Sequence, residues 1–289
     1  MSHRKKTGIT IVLSIFICLL GMLASIFGSF RYAMRDQAIE SFTKEWELSQ
    51  MQITKIADRM SMAQFFVVMV MTPEIDAEGA ERLLDAQYTR EFIADKIKTI
   101  RDDLLYETGE GKISFADITK LEEENREKVT EDLRYSVTAE DMERYEITWD
   151  NLGLEDRFTL GIYRENHQAL FAVVRIFLSN WFLVLTTLAV IGTGAGLWFL
   201  NGHSLGGHRI YGVALLIVGL ADCVLAASHG LMADGVNRFI NMRSNVMDLF
   251  FAPVGQMFSV LGAIFILLGA VSILLFVIEK KRSTGPRRR

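Results

Sequence analysis

The sequence predicts an all-α membrane protein with four transmembrane helices and an α-helical extracytoplasmic domain inserted between helices 1 and 2. Three observations predict it. Four apolar stretches are each long enough to cross a bilayer, which takes roughly 20 residues of helix. Residues 31–168 hold 31 of the 35 acidic residues but 18 of the 31 basic ones, a net charge of 18 − 31 = −13. Ten of the 13 cations outside that block gather at helix ends that share one side.

Residues 1–7 form a basic start carrying Arg4, Lys5 and Lys6, and the first span covers 8–30 without a charge. A cleaved signal peptide is the competing reading, but its apolar region is ordinarily about 7–15 residues long. Here the run is longer, and the small-residue site around Ala24 lies inside it, which favours a retained anchor. The helical pattern then continues through Phe42, Trp46, Ile53 and Ile56.

Residues 31–168 constitute the acidic outer domain. The apolar run 65–71 is too short to cross lipid, so it belongs to the domain core or rests on the bilayer surface, and Pro73 ends it. Leu83, Leu84, Tyr88, Phe92, Ile93, Ile97, Ile100 and Leu104 recur at steps of three and four, predicting one apolar helical stripe over 77–106 that Gly109 and Gly111 close. Ser114 fits an N-cap for a charged segment at 117–133. Thr138 opens a further helix, with Glu140 and Asp141 suited to its positive end.

The second span covers 169–200, its apolar run starting at Leu170; a cytoplasmic loop covers 201–209 and the third span 210–229. An outer amphipathic loop covers 230–253. Its apolar positions alternate with Arg238, Asn241, Arg243, Asn245 and Asp248, so it lies on the membrane surface or against the acidic domain, the two arginines favouring the latter. The fourth span covers 254–278 and a basic tail 279–289.

Orientation follows from cations in short flanking segments. Arg4, Lys5, Lys6, Arg209, Lys280, Lys281, Arg282, Arg287, Arg288 and Arg289 share one side, with Glu279 the single acid among them. That side is therefore expected to be cytoplasmic, with both termini there and the domain outside a cell membrane. Trp181 then falls at the outer interface. Gly255, Gly262 and Gly269 are spaced by seven, as are Gly21 and Gly28, and Gly212 and Gly219, while Gly192 and Gly196 form a GxxxG. Either glycine is merely abundant in these helices or it marks a packing seam.

An acidic block argues against nucleic acid as a partner, because the phosphate backbone requires clustered cations. Cys18 and Cys223 sit in apolar runs, so no disulfide framework is expected. The acids and glycines of 107–117 lack EF-hand spacing, and His203 and His208 lack companion ligands, so neither metal nor cofactor is expected. Signatures of nucleotide-binding loops, serine hydrolases and zinc proteases are absent from the sequence.

The candidate site residues are Asp222, His229, His167 and Asp234. A carboxylate in mid-membrane costs several kcal/mol and faces a partner or a cavity. Thr186, Thr187 and Ser259 are the expected hydrogen-bond partners of Asp222, which serves either as glue between helices or as part of an ion or proton path. His229 falls two turns beyond Asp222, and His167 precedes the second span on the same outer side. With Asp234, Asn180 or Arg175 the two histidines would make an interfacial acid–base pair.

The order of spans, with His167 and His229 at the outer face, is similar in outline to the bacterial lipoprotein intramolecular transacylases, four-span enzymes with an outer cap. That likeness implies acyl transfer or hydrolysis by the two histidines. The basic start and single span, the segment 91–96 leading to Leu104, Leu105 and Tyr106, Ile113 and Ser114 followed by 122–125, and the pattern 137–141 resemble a group of uncharacterised four-span membrane proteins of Gram-positive bacteria. That resemblance implies a cell-membrane location. The sequence leans away from an enzyme and toward an outer domain that senses or binds a partner, within a homo-oligomer or a complex with another membrane protein. The histidine acyl transferase and a channel or transporter with Asp222 on its path are the alternatives.

Overall fold

The computed structural model describes residues 3–53, 60–70, 72–201, 206–240 and 242–284. Among the described residues the regular structure is helical apart from one antiparallel pair of two-residue strands. In chain order the elements are α1 (His3–Ala33), α2 (Asp36–Glu45), β1 (Gln52–Ile53), α3 (Met62–Val70), α4 (Ala77–Asp85), α5 (Gln87–Tyr106), α6 (Phe115–Leu133) and α7 (Ala139–Asn151). There follow α8 (Leu154–Arg157), α9 (Leu160–Asn166), α10 (Gln168–Leu178), α11 (Asn180–Leu200), α12 (Gly206–Ala227), α13 (His229–Ile240), β2 (Met242–Arg243) and α14 (Val246–Thr284). Two compact units result. One comprises residues 1–32, 176–229 and 252–289, the other 33–175 and 230–251.

The first unit is a bundle of the four helices apolar and long enough to span a membrane, over Thr7–Ala33, Asn180–Leu200, Gly206–Ala227 and Val246–Arg282. Even the shortest, at 21 residues, reaches about 30 Å at ~1.5 Å per residue. A helix satisfies its own backbone polar groups, which is what a lipid environment demands. Large side chains such as Val12, Leu188, Leu220 and Leu267 remain exposed on the bundle, whereas the faces turned inward combine large apolar residues such as Ile17, Leu197, Leu215 and Phe258 with small ones.

Helix α12 is the hub of this unit. Against α14 it makes an antiparallel glycine seam: a Cβ on Gly212 would lie 2.7 Å from the Gly269 carbonyl oxygen, and one on Gly219 would lie 2.8 Å from that of Gly262. The seven-residue spacing is thus a packing seam for these four glycines. By contrast Gly192 and Gly196 have nothing within 4 Å, so the GxxxG is unused within the chain. Against α1 the pairing is parallel and advances by three or four residues, through Cys18 to the Ala214 carbonyl, Gly21 to Val218 and Ser25 to Asp222. Phe27 stacks on Phe177 with ring centroids 4.6 Å apart and meets Phe182 edge-on.

The second unit is acidic and helical. Val70, Ile75, Tyr88, Val129 and Leu133 form one core, so the short apolar run at α3 is domain interior on one face. Ile39, Phe42, Ala94 and Val246 form another, which brings the segment after α13 into the domain. β1 pairs with β2 (Gln52 with Arg243, Ile53 with Met242), the Trp46 indole N–H donates to Ser244 Oγ at 3.1 Å, and Asn245 Nδ2 donates to the Glu45 carbonyl at 3.1 Å. Residues 230–251 group with the acidic domain, through Val246 in its core as well as through backbone and small polar groups.

Several boundaries differ from the sequence reading. The first helix ends at Ala33, extended Arg35 separates it from α2, and Ile53 lies on β1; Ile56 lies outside the described residues. The stripe over 77–106 is two helices, because Ala86 is extended (ψ 147°). Glu107, not a glycine, takes the left-handed conformation (φ 55°) at the end of α5. The run from Leu170 breaks at Ser179, whose hydroxyl accepts the Phe182 N–H and starts α11 afresh. His229 opens α13 rather than ending the third span, and the last helix begins at Val246, with Pro253 inside it. Ser114 and Thr138 occupy the N-cap positions expected of them.

Candidate functional site

The four-residue steps of α1 place Ile17, Gly21, Ser25 and Ser29 on one buried face. Small side chains there let α12 approach closely, and Asp222 meets that face with no solvent exposure. The Ser25 hydroxyl donates to Oδ2 of Asp222 at 2.7 Å. On the opposite flank Gly262 of α14 approaches so closely that a Cβ on it would sit 3.2 Å from the Cβ of Asp222. Oδ1 of Asp222 and the Ser29 hydroxyl are both buried without a hydrogen-bond partner among the described residues.

The partners expected for Asp222 are engaged elsewhere. Thr186 donates to the Phe182 carbonyl at 2.7 Å, Thr187 to that of Leu183 at 2.8 Å and Ser259 to that of Gly255 at 3.2 Å. Each hydroxyl bonds back one turn along its own helix, the usual resort of Ser and Thr in apolar surroundings. Chemically, the cluster supplies a hydrogen bond between helices in a closely packed interface.

His229 belongs to the bundle. Its Nδ1 lies 2.8 Å from the Ala226 carbonyl oxygen, and its ring fills the space above Gly255, where a Cβ would come within 3.0 Å of it. His167 and Asp234 belong to the acidic unit and are exposed, His167 at the end of α9 with its N–H on the Tyr163 carbonyl at 3.0 Å, and Asp234 on α13. Arg175 forms an ion pair with Glu107, and Asn180 is an exposed first residue of α11. His208 lies in the first turn of α12, where Ser272 donates to its carbonyl at 2.8 Å; His203 lies outside the described residues. No group of three or more His, Cys, Asp or Glu side chains among the described residues could hold a metal ion.

Among the buried carboxylates of the acidic unit, Asp103 and Asp141 act as organising centres that the sequence reading did not single out. Asp103 is 1% exposed, accepts the Gly109 N–H at 2.6 Å and pairs with Arg164 at 3.1 Å. A Cβ on Gly111 would come 2.6 Å from its Oδ2, so glycine is required there. Asp141 accepts from the Thr138 hydroxyl and N–H, from the Tyr135 hydroxyl at 2.8 Å and from Arg144. Burial pushes the Asp141 carboxyl up, but those donors outweigh it and hold it at about 2. Burial likewise opposes ionisation of Asp117, and the Lys96 ammonium at 2.5 Å with the Ser114 donors brings it below the ordinary carboxylate value.

The chain matches no family model, and neither the curated proteins nor the solved structures compared with it give a match.

A cleft of about 490 Å³ in the acidic unit is lined by Asp150, Glu155 and Asp156 with Lys112, Gly153, Thr159 and Ile162. Lys112 reaches Glu155 at 3.4 Å, leaving the lining two charges negative (three carboxylates, one ammonium). Leu152, Phe158 and Ile162, in or beside the lining segments, are 39%, 46% and 37% exposed. The cleft could be anticipated only in part. The acids of 150–156 and the lone Gly153 mark a polar turn, but the pairing of Lys112 with Thr159 that closes the far side joins residues 47 apart and has no local signature.

Proposed function

We propose that this multi-pass membrane protein holds its acidic domain outside the cell membrane, with both termini cytoplasmic, and that the domain is a receptor surface for a basic segment of a partner protein. The carrying observation is the cleft of Asp150, Glu155 and Asp156 beside exposed Leu152, Phe158 and Ile162. Carboxylates beside an apolar rim suit a chain segment that alternates Lys or Arg with apolar residues: charge steers the encounter, and the apolar contacts supply affinity. Two further facts support a platform role. The domain is knit from two chain segments that flank the second and third spans, and its buried carboxylates are spent on caps and loops.

The test uses full-length protein in cells. A photo-crosslinking residue at Leu152, on the exposed rim, is expected to give one discrete protein adduct mapping to a basic segment. Asp150→Lys, Glu155→Lys and Asp156→Lys together should abolish it while the protein still reaches the membrane. An adduct that survives this reversal sinks the reading. Orientation is read separately, with an impermeant maleimide on intact cells. Glu123→Cys should be labelled and Arg282→Cys should not, and the opposite pattern would invert the topology.

A further inference from the structure

A second cavity lies within the bundle. It is a groove of about 490 Å³ with α12 as its floor, through His208 and Tyr211, and α11 and α14 as its walls, through Ala195, Trp198 and Ser272. Small residues create it. Gly194 leaves room for the Tyr211 ring, which would come within 2.8 Å of a Cβ there, and Gly207 packs directly on the backbone of Leu197. Its volume falls within the roughly 300–1,000 Å³ of small-ligand sites. Its rim residues Ile191 and Leu268 are 59% and 52% exposed on the apolar outer face of the bundle.

The groove is amphiphilic along its length. The glycine contacts between α12 and α14 are antiparallel, so the start of α12 and the end of α14 lie at the same end of the bundle. At that end Ser272, only 6% exposed, donates to the His208 carbonyl, and its Oγ lies 3.5 Å from His208 Nδ1. The Arg209 guanidinium lies 5.9 Å from the Phe276 ring centre, one turn nearer the helix end than Ser272. Arg209, Lys280, Lys281 and Arg282 stand at this end against one acid, Glu279, a balance of 4 − 1 = +3.

His208 lines the trough at this end and Arg209, the next residue of α12, stands beside the lining, so an apolar trough with cations at the same end of the bundle matches a lipid with a negative head. We propose that the groove binds an anionic phospholipid, with one acyl chain along Tyr211, Ala195 and Trp198 and the phosphate held by Arg209 and His208. Zwitterionic lipid fits the trough equally well but gains little from the excess positive charge, and basic pockets between membrane helices select anionic heads for that reason. The inference requires only that the bundle be embedded in lipid. It is independent of the partner proposed for the acidic domain.

Native mass spectrometry of the full-length protein, released from nanodiscs made of equal parts phosphatidylglycerol and phosphatidylcholine, tests it. Wild type is expected to retain one phosphatidylglycerol in preference to phosphatidylcholine. Arg209→Gln should reduce that preference about fivefold, the effect of one cation near a membrane surface. Ala195→Trp should remove the retained lipid of either type by filling the trough. Equal retention of the two lipids by wild type, or retention unchanged in both variants, overturns the proposal. Circular dichroism of each variant confirms that its helices persist, and Ala195→Leu provides a milder filling variant should the tryptophan unfold the bundle.

Discussion

Ser25 of α1 and Asp222 of α12 are joined by a 2.7 Å hydrogen bond, at the level where Gly262 of α14 closes the other side of the carboxyl group. A hydrogen bond between helices in lipid is worth on the order of 1 kcal/mol. Ser25→Ala should therefore lower thermal stability in detergent modestly. Asp222→Asn retains an acceptor for Ser25 and should leave stability near wild type, whereas Asp222→Leu should lower it clearly. Cation or proton flux into liposomes that depends on Asp222 would refute a purely structural clamp.

The glycine seam makes a sharper demand. Gly219→Val must displace the α14 backbone, because even a Cβ would lie 2.8 Å from the Gly262 carbonyl oxygen. Overpacking of this kind costs about 1–3 kcal/mol or more. Gly192→Val is the control, since nothing lies within 4 Å of that position. Tryptophan-monitored melting should separate the two variants widely, and equal melting would remove the seam.

Asp103 and Arg164 pair inside the acidic domain, with the carboxylate 1% exposed. Arg164→Leu strands a buried charge and should cost about 3 kcal/mol. Gly111→Ala should also destabilise, as its Cβ would collide with the same carboxylate at 2.6 Å. Both effects are read from urea unfolding midpoints of the full chain in detergent.

Acid should weaken the domain through Asp141. Its folded pKa of about 2 lies below the 3.8 of the free side chain. The stability it contributes is therefore complete above about pH 4 and is lost as pH falls through 2. Asp36, held low by its hydrogen bond to Arg101, and Asp117, held low by Lys96 and Ser114 against burial, act in the same direction. Asp141→Asn should cost about 2 kcal/mol at pH 7, as expected for hydrogen bonds to a charged group, and should flatten the fall in stability between pH 4 and 2. An unchanged acid profile in the variant would contradict this.

The spans were legible because hydropathy over some 20 residues is a summed signal that no single contact overrides. The caps at Ser114 and Thr138 were legible because the hydrogen bonds are local, each closing within three residues. The breaks at Ala86 and Ser179 were not, since neither carries glycine or proline; Ser179 is an N-cap hidden inside an apolar run. The Asp222 partner was missed for a related reason. Serine and threonine look alike as hydroxyls in a span, and only the four-residue stripe Gly21, Ser25, Ser29 distinguishes a face turned toward a neighbour from one bonded back to its own helix. His229 was expected to end the third span, and a turn at Ser228 makes it the first residue of α13 instead.

The short ladder between Gln52 and Arg243 bears on how the molecule is made. Its two strands are separated in the chain by the second and third spans, and the acidic unit is assigned only with residues 230–251 included. On the ribosome, where chains emerge N-terminal end first, the acidic domain must wait with an open strand edge and an uncovered Ile39–Phe42–Ala94 surface until two further long apolar helices have been made. Completion of the domain is thereby tied to synthesis of the second and third spans, and a chain arrested before the third span lacks the residues that cover this surface.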